Sequence, residues 1–232
     1  LAVNPNFKIA RNNMAIVLTD LGTQVKNTGN VKDSIEHYKQ ALVFNALYPD
    51  AYYNLGVAYG ECGMLDKAIV CYELGIHFNP VCCEAYNNLG VIFKDSDNLE
   101  RATDCYKSAL QINPQFSQTL NNLGVVYTMQ GKLDEAYKYV KSALAANPRY
   151  AEAYNNLGVL YRDEGKMAEA IFCYDQCLKL NENSRNAAQN RLLALNYCND
   201  ECQRVFKAHK DWGSAFEASR KQFQKYQVSM EP

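Results

Sequence analysis

Apolar and polar positions alternate along this chain with the spacing of helices, and the spacing itself repeats. "EAYNNLG" stands at 84–90 and again at 152–158, with "YYNLG" at 52–56 and "TLNNLG" at 119–124. Within one copy Leu157, Gly158 and Tyr161 fall one, three and four residues apart, which puts them on one helical face. Gly56, Gly90, Gly124 and Gly158 are each 34 residues apart, and one further step back lands on Gly22. Ala68, Ala102, Ala136 and Ala170 keep the same period, with Ser34 in the first copy. So do Tyr38, Tyr72, Tyr106 and Tyr174, with Val140 the exception, and Pro80, Pro114 and Pro148 at the ends of copies. Each copy is predicted to hold two antiparallel helices joined by a glycine-bearing turn such as "QGKLDEA" or "EGKMAEA".

A 34-residue period with small residues at two fixed points and a closing proline is the tetratricopeptide pattern. The small residues let paired helices approach closely, and proline after asparagine stops the second helix. One pair cannot bury its apolar face alone, so copies must stack. The expected fold is all-α: a right-handed tetratricopeptide-repeat superhelix with a C-terminal capping helix. The expected organisation has the end of a preceding repeat and the start of an extended first helix in 1–14, and five repeats in 15–184. A capping helix follows in 185–200, then a linker helix in 201–232, amphipathic and more basic. "NPNFKIARNNMAIVLTDLG" holds seven residues more than 79–90 between its Asn-Pro and its Leu-Gly. That predicts a first helix about two turns longer than the others, from near Phe7 to near Lys26.

Asparagine is a mediocre helix former, yet Asn54, Asn88, Asn122 and Asn156 recur at position six of the first helix. Asn190 keeps that register in the cap, and Asp20 occupies it in the first copy. Position six faces the inner wall of such a superhelix. One reading is structural, since asparagine bonds neighbouring backbone readily. The other is a peptide-binding ladder, because a primary amide offers donors and an acceptor that match a backbone unit. Copies about 10 Å apart and a strand advancing about 3.3 Å per residue place one rung at roughly every third residue. Asp20 accepts but cannot donate, which makes Asn12 a candidate to serve in its place. Position nine is Val57, Val91, Val125 and Val159, with Thr23 first; position five is Tyr53, Asn87, Asn121 and Asn155. The Lys or Arg of a carboxylate clamp is absent from both, so the expected partner is an extended protein segment held by its backbone.

The 232 residues carry 24 basic and 25 acidic side chains, a balance that points away from a dominant phosphate-binding surface. Basic residues gather only near the tail, at Lys207, Lys210, Arg220, Lys221 and Lys225, so nucleic acid is not an expected partner. No run of about 18 apolar residues exists to span a bilayer. The start lacks the basic and apolar segments of a signal peptide and an initiator methionine, so the chain is expected to begin within a larger protein. Nine cysteines without an export signal are expected to be reduced thiols of nucleus or cytoplasm. Cys71, Cys105 and Cys173 share a repeat column and Cys177 fills a small-residue slot, as packing residues do. Cys198, Cys202 and His209 lack the paired ligands of a zinc site, and Cys82-Cys83 at a copy junction is a candidate for partial exposure and oxidation. His37, His77 and His209 are dispersed, and no nucleophile order or phosphate loop appears. Neither cofactor nor catalytic residue is expected within these residues.

Several stretches go beyond the general repeat. "NPNFKIARNNMAIVLTDLGTQVK", "YNLGVAYGE", "NNLGVIFKDSDNLERA", "NNLGVVYTMQGKLDEA", "NNLGVLYRDEGK", "SRNAAQNRLLALNY" and "FKAHKDWG" together resemble the SPINDLY family of plant protein O-glycosyltransferases. The resemblance covers roughly 1–213. It implies a partner-recruiting repeat region of an enzyme that moves fucose or N-acetylglucosamine from a nucleotide sugar to Ser/Thr of nuclear and cytoplasmic proteins. It also implies negative regulation of gibberellin signalling. That family's two-lobed nucleotide-sugar domain would lie beyond these residues. The alternative is a free-standing scaffold, or a competitor for the same partners without enzyme activity. Self-association is compatible with either.

Overall fold

The computed structural model describes residues 5–197, 207–214 and 217. Eleven helices follow one another: α1 (Pro5–Asn27), α2 (Val31–Phe44), α3 (Pro49–Glu61), α4 (Leu65–Phe78), α5 (Cys83–Asp95) and α6 (Leu99–Ile112). Then come α7 (Ser117–Met129), α8 (Leu133–Ala146), α9 (Ala151–Asp163), α10 (Met167–Leu180) and α11 (Arg185–Asn196). Residues 207–214 are also helical, and no strand occurs among the described residues. The protein is all-α. Most of the expected tail helix lies outside the described residues.

Two compact units result, Leu1–Val126 and Tyr127–Pro232. In the first, α1 packs on α2 and α3, α3 on α4, α4 on α5, and α5 on α6; in the second, α9 packs on α8, α10 and α11, and α10 on α11. First helices α3, α5, α7 and α9 are 13 residues long, whereas α1 has 23. The extra turns carry Arg11, whose guanidinium donates to the last carbonyls of α2, Phe44 O at 2.8 Å and Val43 O at 2.9 Å. A cation there also meets the negative end of the helix dipole.

The repeat columns have direct packing reasons. A Cβ on Gly22, Gly56, Gly90 or Gly158 would stand 2.7, 2.8, 2.6 or 2.5 Å from the ring of Tyr38, Tyr72, Tyr106 or Tyr174, respectively. Each ring packs against the glycine of its partner helix and is buried there. Burying such a ring stabilises by roughly 1.5–3 kcal/mol relative to exposure. Where the tyrosine is missing, Val140 fills the seat at 1% exposure.

Turns and stops are equally regular. The turn from first to second helix needs one residue with positive φ, supplied by Gly29, Gly63, Gly131 and Gly165, and by Asp97 at φ 60° in the third copy. Second helices end at Asn45, Asn79, Asn113, Asn147 and Asn181, each closing on the carbonyl four residues back. The side chains of Asn45, Asn113, Asn147 and Asn181 then accept from the backbone N–H two residues on, at 3.0–3.2 Å. These asparagines build junctions, because a short amide side chain bonds its own backbone.

Candidate functional site

The first unit sets its asparagines into a bonded network. Asn87, only 2% exposed, accepts from Thr119 Oγ1 at 2.9 Å and from Asn122 Nδ2 at 3.1 Å. Its own Nδ2 donates to Asn88 Oδ1 at 3.4 Å. Asn88 Nδ2 in turn reaches the hydroxyls of Tyr53 and Tyr72, both at 3.5 Å. Position-six amides therefore tie α5 to α3 through Tyr53, and α7 to α5 through Asn87. Position five supplies the acceptor. Asn54 and Asn122 are half-buried, and beyond the bond to Asn87 no other hydrogen bond of Asn122 occurs among the described residues. Thr19, which fills position five in the first copy, donates its hydroxyl to Ala15 O at 2.8 Å.

In the second unit the motif recurs. Asn190 Nδ2 donates to Asn155 Oδ1 at 3.1 Å, joining α11 to α9, and Asn155 Nδ2 donates to Asn156 Oδ1 at 3.4 Å. Asn155, Asn156 and Asn190 are all half-buried. Asp20 is exposed on α1. Asn12 accepts from Asn45 Nδ2 at 2.8 Å, so it belongs to the junction after α2 and does not stand in for Asp20. Position five was the part sequence reasoning missed. Its signal was available: asparagine or tyrosine recurring one step before the rung, and Thr119 one turn before Leu123.

Valines at position nine, Val57, Val91, Val125 and Val159, are half-buried alongside the amides. Tyr72 and Tyr53 hydroxyls are held protonated, mainly because burial disfavours their anions. Burial likewise pushes the thiols of Cys71, Cys105 and Cys173 up to about 11. Such thiols are packing groups and poor nucleophiles at neutral pH. Cys83 is buried at 7% exposure, which leaves only Cys82 of that pair partly open. Among the described residues no group of three or more His, Cys, Asp or Glu is disposed to hold a metal. His209 Nε2 lies 3.1 Å from Asn196 Oδ1, and Cys198 and Cys202 fall outside the described residues. No described helix is long and apolar enough to cross a membrane.

A chain of paired helices with this column chemistry has clear relatives. Models of the tetratricopeptide repeat match residues 49–81, 83–116 and 115–183, and a further TPR repeat model matches 27–63. The chain belongs to the tetratricopeptide-repeat family. Among tetratricopeptide proteins it is similar to the probable UDP-N-acetylglucosamine–peptide N-acetylglucosaminyltransferase SPINDLY of Eustoma exaltatum subsp. russellianum. The two are 74% identical over 217 residues, 93% of this chain and 24% of that protein. The like-named protein of Oryza sativa subsp. japonica is 74% identical over 212 residues, 91% of this chain and 23% of its own length. The chain thus spans about a quarter of the length of these curated relatives. Among solved structures, pilF of Pseudomonas aeruginosa aligns with a TM-score of 0.78 at 17% identity, covering 95% of this chain and 99% of that one. YrrB, described as a TPR protein with an unusual peptide-binding site, aligns at 0.60 and 19% identity, covering 75% and 90%. At those identities the likeness concerns the tetratricopeptide fold alone.

Proposed function

We propose that this chain is the partner-recruiting tetratricopeptide region of a SPINDLY-like protein O-glycosyltransferase, and that its amide columns grip extended segments of the proteins to be modified. The observation that carries this reading is the pairing of 74% identity over 93% of the chain with half-buried amides, of which Asn122 and Asn190 each have one N–H fixed by the copy before. Fixing one N–H orients the amide and leaves its second N–H and its oxygen for a peptide unit. Because the grip is on backbone, it accepts many sequences. In the whole protein the recruited segment would be presented to a nucleotide-sugar site for transfer of N-acetylglucosamine or fucose to Ser/Thr, in nucleus and cytoplasm. Restraint of gibberellin signalling would follow from such transfer.

The test replaces Asn54, Asn88, Asn122, Asn156 and Asn190 together by Ala, with stability and partner affinity measured on the same samples. Each backbone bond contributes about 0.5–1.5 kcal/mol net, so single changes should be nearly silent and the fivefold change plain. Unchanged affinity in a folded variant would sink the proposal.

A further inference from the structure

The rungs of the amide column are not seated alike. Asn88 Nδ2 rests on two tyrosine hydroxyls of the copy before, Tyr53 and Tyr72, both at 3.5 Å. Asn122 and Asn190 rest instead on position-five amides, Asn87 Oδ1 and Asn155 Oδ1, both at 3.1 Å. The difference follows from position five, which is tyrosine before Asn88 and asparagine before the other two. The column counterparts of Tyr72 for Asn122 and Asn190 are Tyr106 and Tyr174, each 16 residues earlier, as Tyr72 is for Asn88. Both have 0% exposure, and neither hydroxyl has a hydrogen-bond partner among the described residues. Burial raises both above the usual tyrosine range, so each keeps its proton.

Elsewhere in the column no hydroxyl is left over. Tyr38 lies 3.2 Å from Thr23 Oγ1, so the seat before Asn54 is taken. Val140 holds the place before Asn156 and carries no hydroxyl. Unpaired hydroxyls therefore coincide with the two rungs that rest on position-five amides.

The two seats are close in free energy. A buried hydroxyl without a partner is costly, whereas the acceptors now in use can spare a donor. Asn87 keeps Thr119 Oγ1 at 2.9 Å, and Asn155 is half-buried, where water replaces a lost bond. A side-chain rotation of the asparagine exchanges one seat for the other, and in both one N–H is held by the copy before. A ligand that favours one arrangement then selects it. An extended backbone repeats its N–H and C=O groups at equal intervals, and equal rungs meet it best. Asn88 already shows the hydroxyl-seated form.

We propose that Tyr106 and Tyr174 are positioning residues of the amide column. When an extended segment binds, Asn122 and Asn190 turn from Asn87 and Asn155 onto these hydroxyls, and so take the seat that Asn88 holds. This rests on the amide-column reading and adds how the column is set for its partner.

Fluorescence anisotropy on the whole 232-residue chain tests it, with a labelled peptide of about twelve residues repeating Ser-Thr-Val. A Tyr106→Phe, Tyr174→Phe variant keeps both rings and should bind about tenfold more weakly. Its urea midpoint should be unchanged or higher, because the hydroxyls removed have no partner in the free protein. Tyrosines with a purely structural role would give the reverse, a lower midpoint and the parent's affinity. Tyr38→Phe, whose hydroxyl faces Thr23, should bind like the parent. Side-chain amide NMR signals of Asn122 and Asn190 should shift on peptide addition in the parent and stay in place in the double Phe variant. If the double Phe variant binds like the parent while the fivefold Asn→Ala variant does not, this proposal falls and the amide grip stands. Equal weakening by Tyr38→Phe would also overturn it. No binding by the parent would remove the grip and this proposal with it.

Discussion

Asn87→Ala is the sharpest probe of how the amide network is built. Asn87 is 2% exposed and is the acceptor for Thr119 Oγ1 at 2.9 Å; Thr119 itself has 0% exposure. Truncation would leave that hydroxyl buried without a partner, which costs about 1–3 kcal/mol. Asn122 would also lose its 3.1 Å acceptor, but it is half-exposed and water replaces the bond, so its share is at most about 0.5 kcal/mol. The expected total is about 1–3.5 kcal/mol, read by urea unfolding with far-UV circular dichroism. Asn155→Ala serves as the control: Asn155 is half-buried and accepts from Asn190, at 3.1 Å, so about 1 kcal/mol is expected. Adding Thr119→Ala to Asn87→Ala removes the orphan, and the double-mutant cycle should show coupling of about 1 kcal/mol. A loss equal to that of Asn155→Ala, or no coupling to Thr119, would refute the reasoning.

Gly158→Ala drives a methyl to 2.5 Å from the Tyr174 ring, which is fully buried and has little room to retreat; a loss of about 1–3 kcal/mol in the same unfolding assay is expected. Asp97→Gly relieves a left-handed residue at φ 60° and should raise stability by about 0.5–1 kcal/mol, the sign being the diagnostic part. Cys71, Cys105 and Cys173 are shifted from 9.0 to about 11 by burial. Their raised values stabilise the fold fully below pH 9.0, and that contribution is lost as pH rises toward 11, so urea midpoints should fall across this window and fall less in a triple Cys→Ala variant.

Much of the fold was legible because one period fixes many positions at once. The long α1 followed from counting residues between Asn-Pro and Leu-Gly, and the glycine column follows from the room a buried tyrosine ring demands of its neighbour. Asp97 was hidden, since nothing in "KDSDNLE" announces that an aspartate takes the positive φ that glycine takes elsewhere. The candidate face was only partly legible. Asn87 and Asn88 differ by one step of about 100° around the helix, yet the first is a buried acceptor and the second half-open; identical residue types carry no mark of that difference.

The bonds from Asn122 to Asn87 and from Asn190 to Asn155 each span 35 residues. Contacts that reach only the neighbouring copy make early stretches of the chain self-sufficient. As synthesis proceeds from the amino end, a copy can close on its predecessor as soon as its own two helices are free, without waiting for distant partners. The same short reach lets damage stay local, since a copy that opens releases only its neighbours' faces. Assembly and fraying thus proceed in steps of one copy.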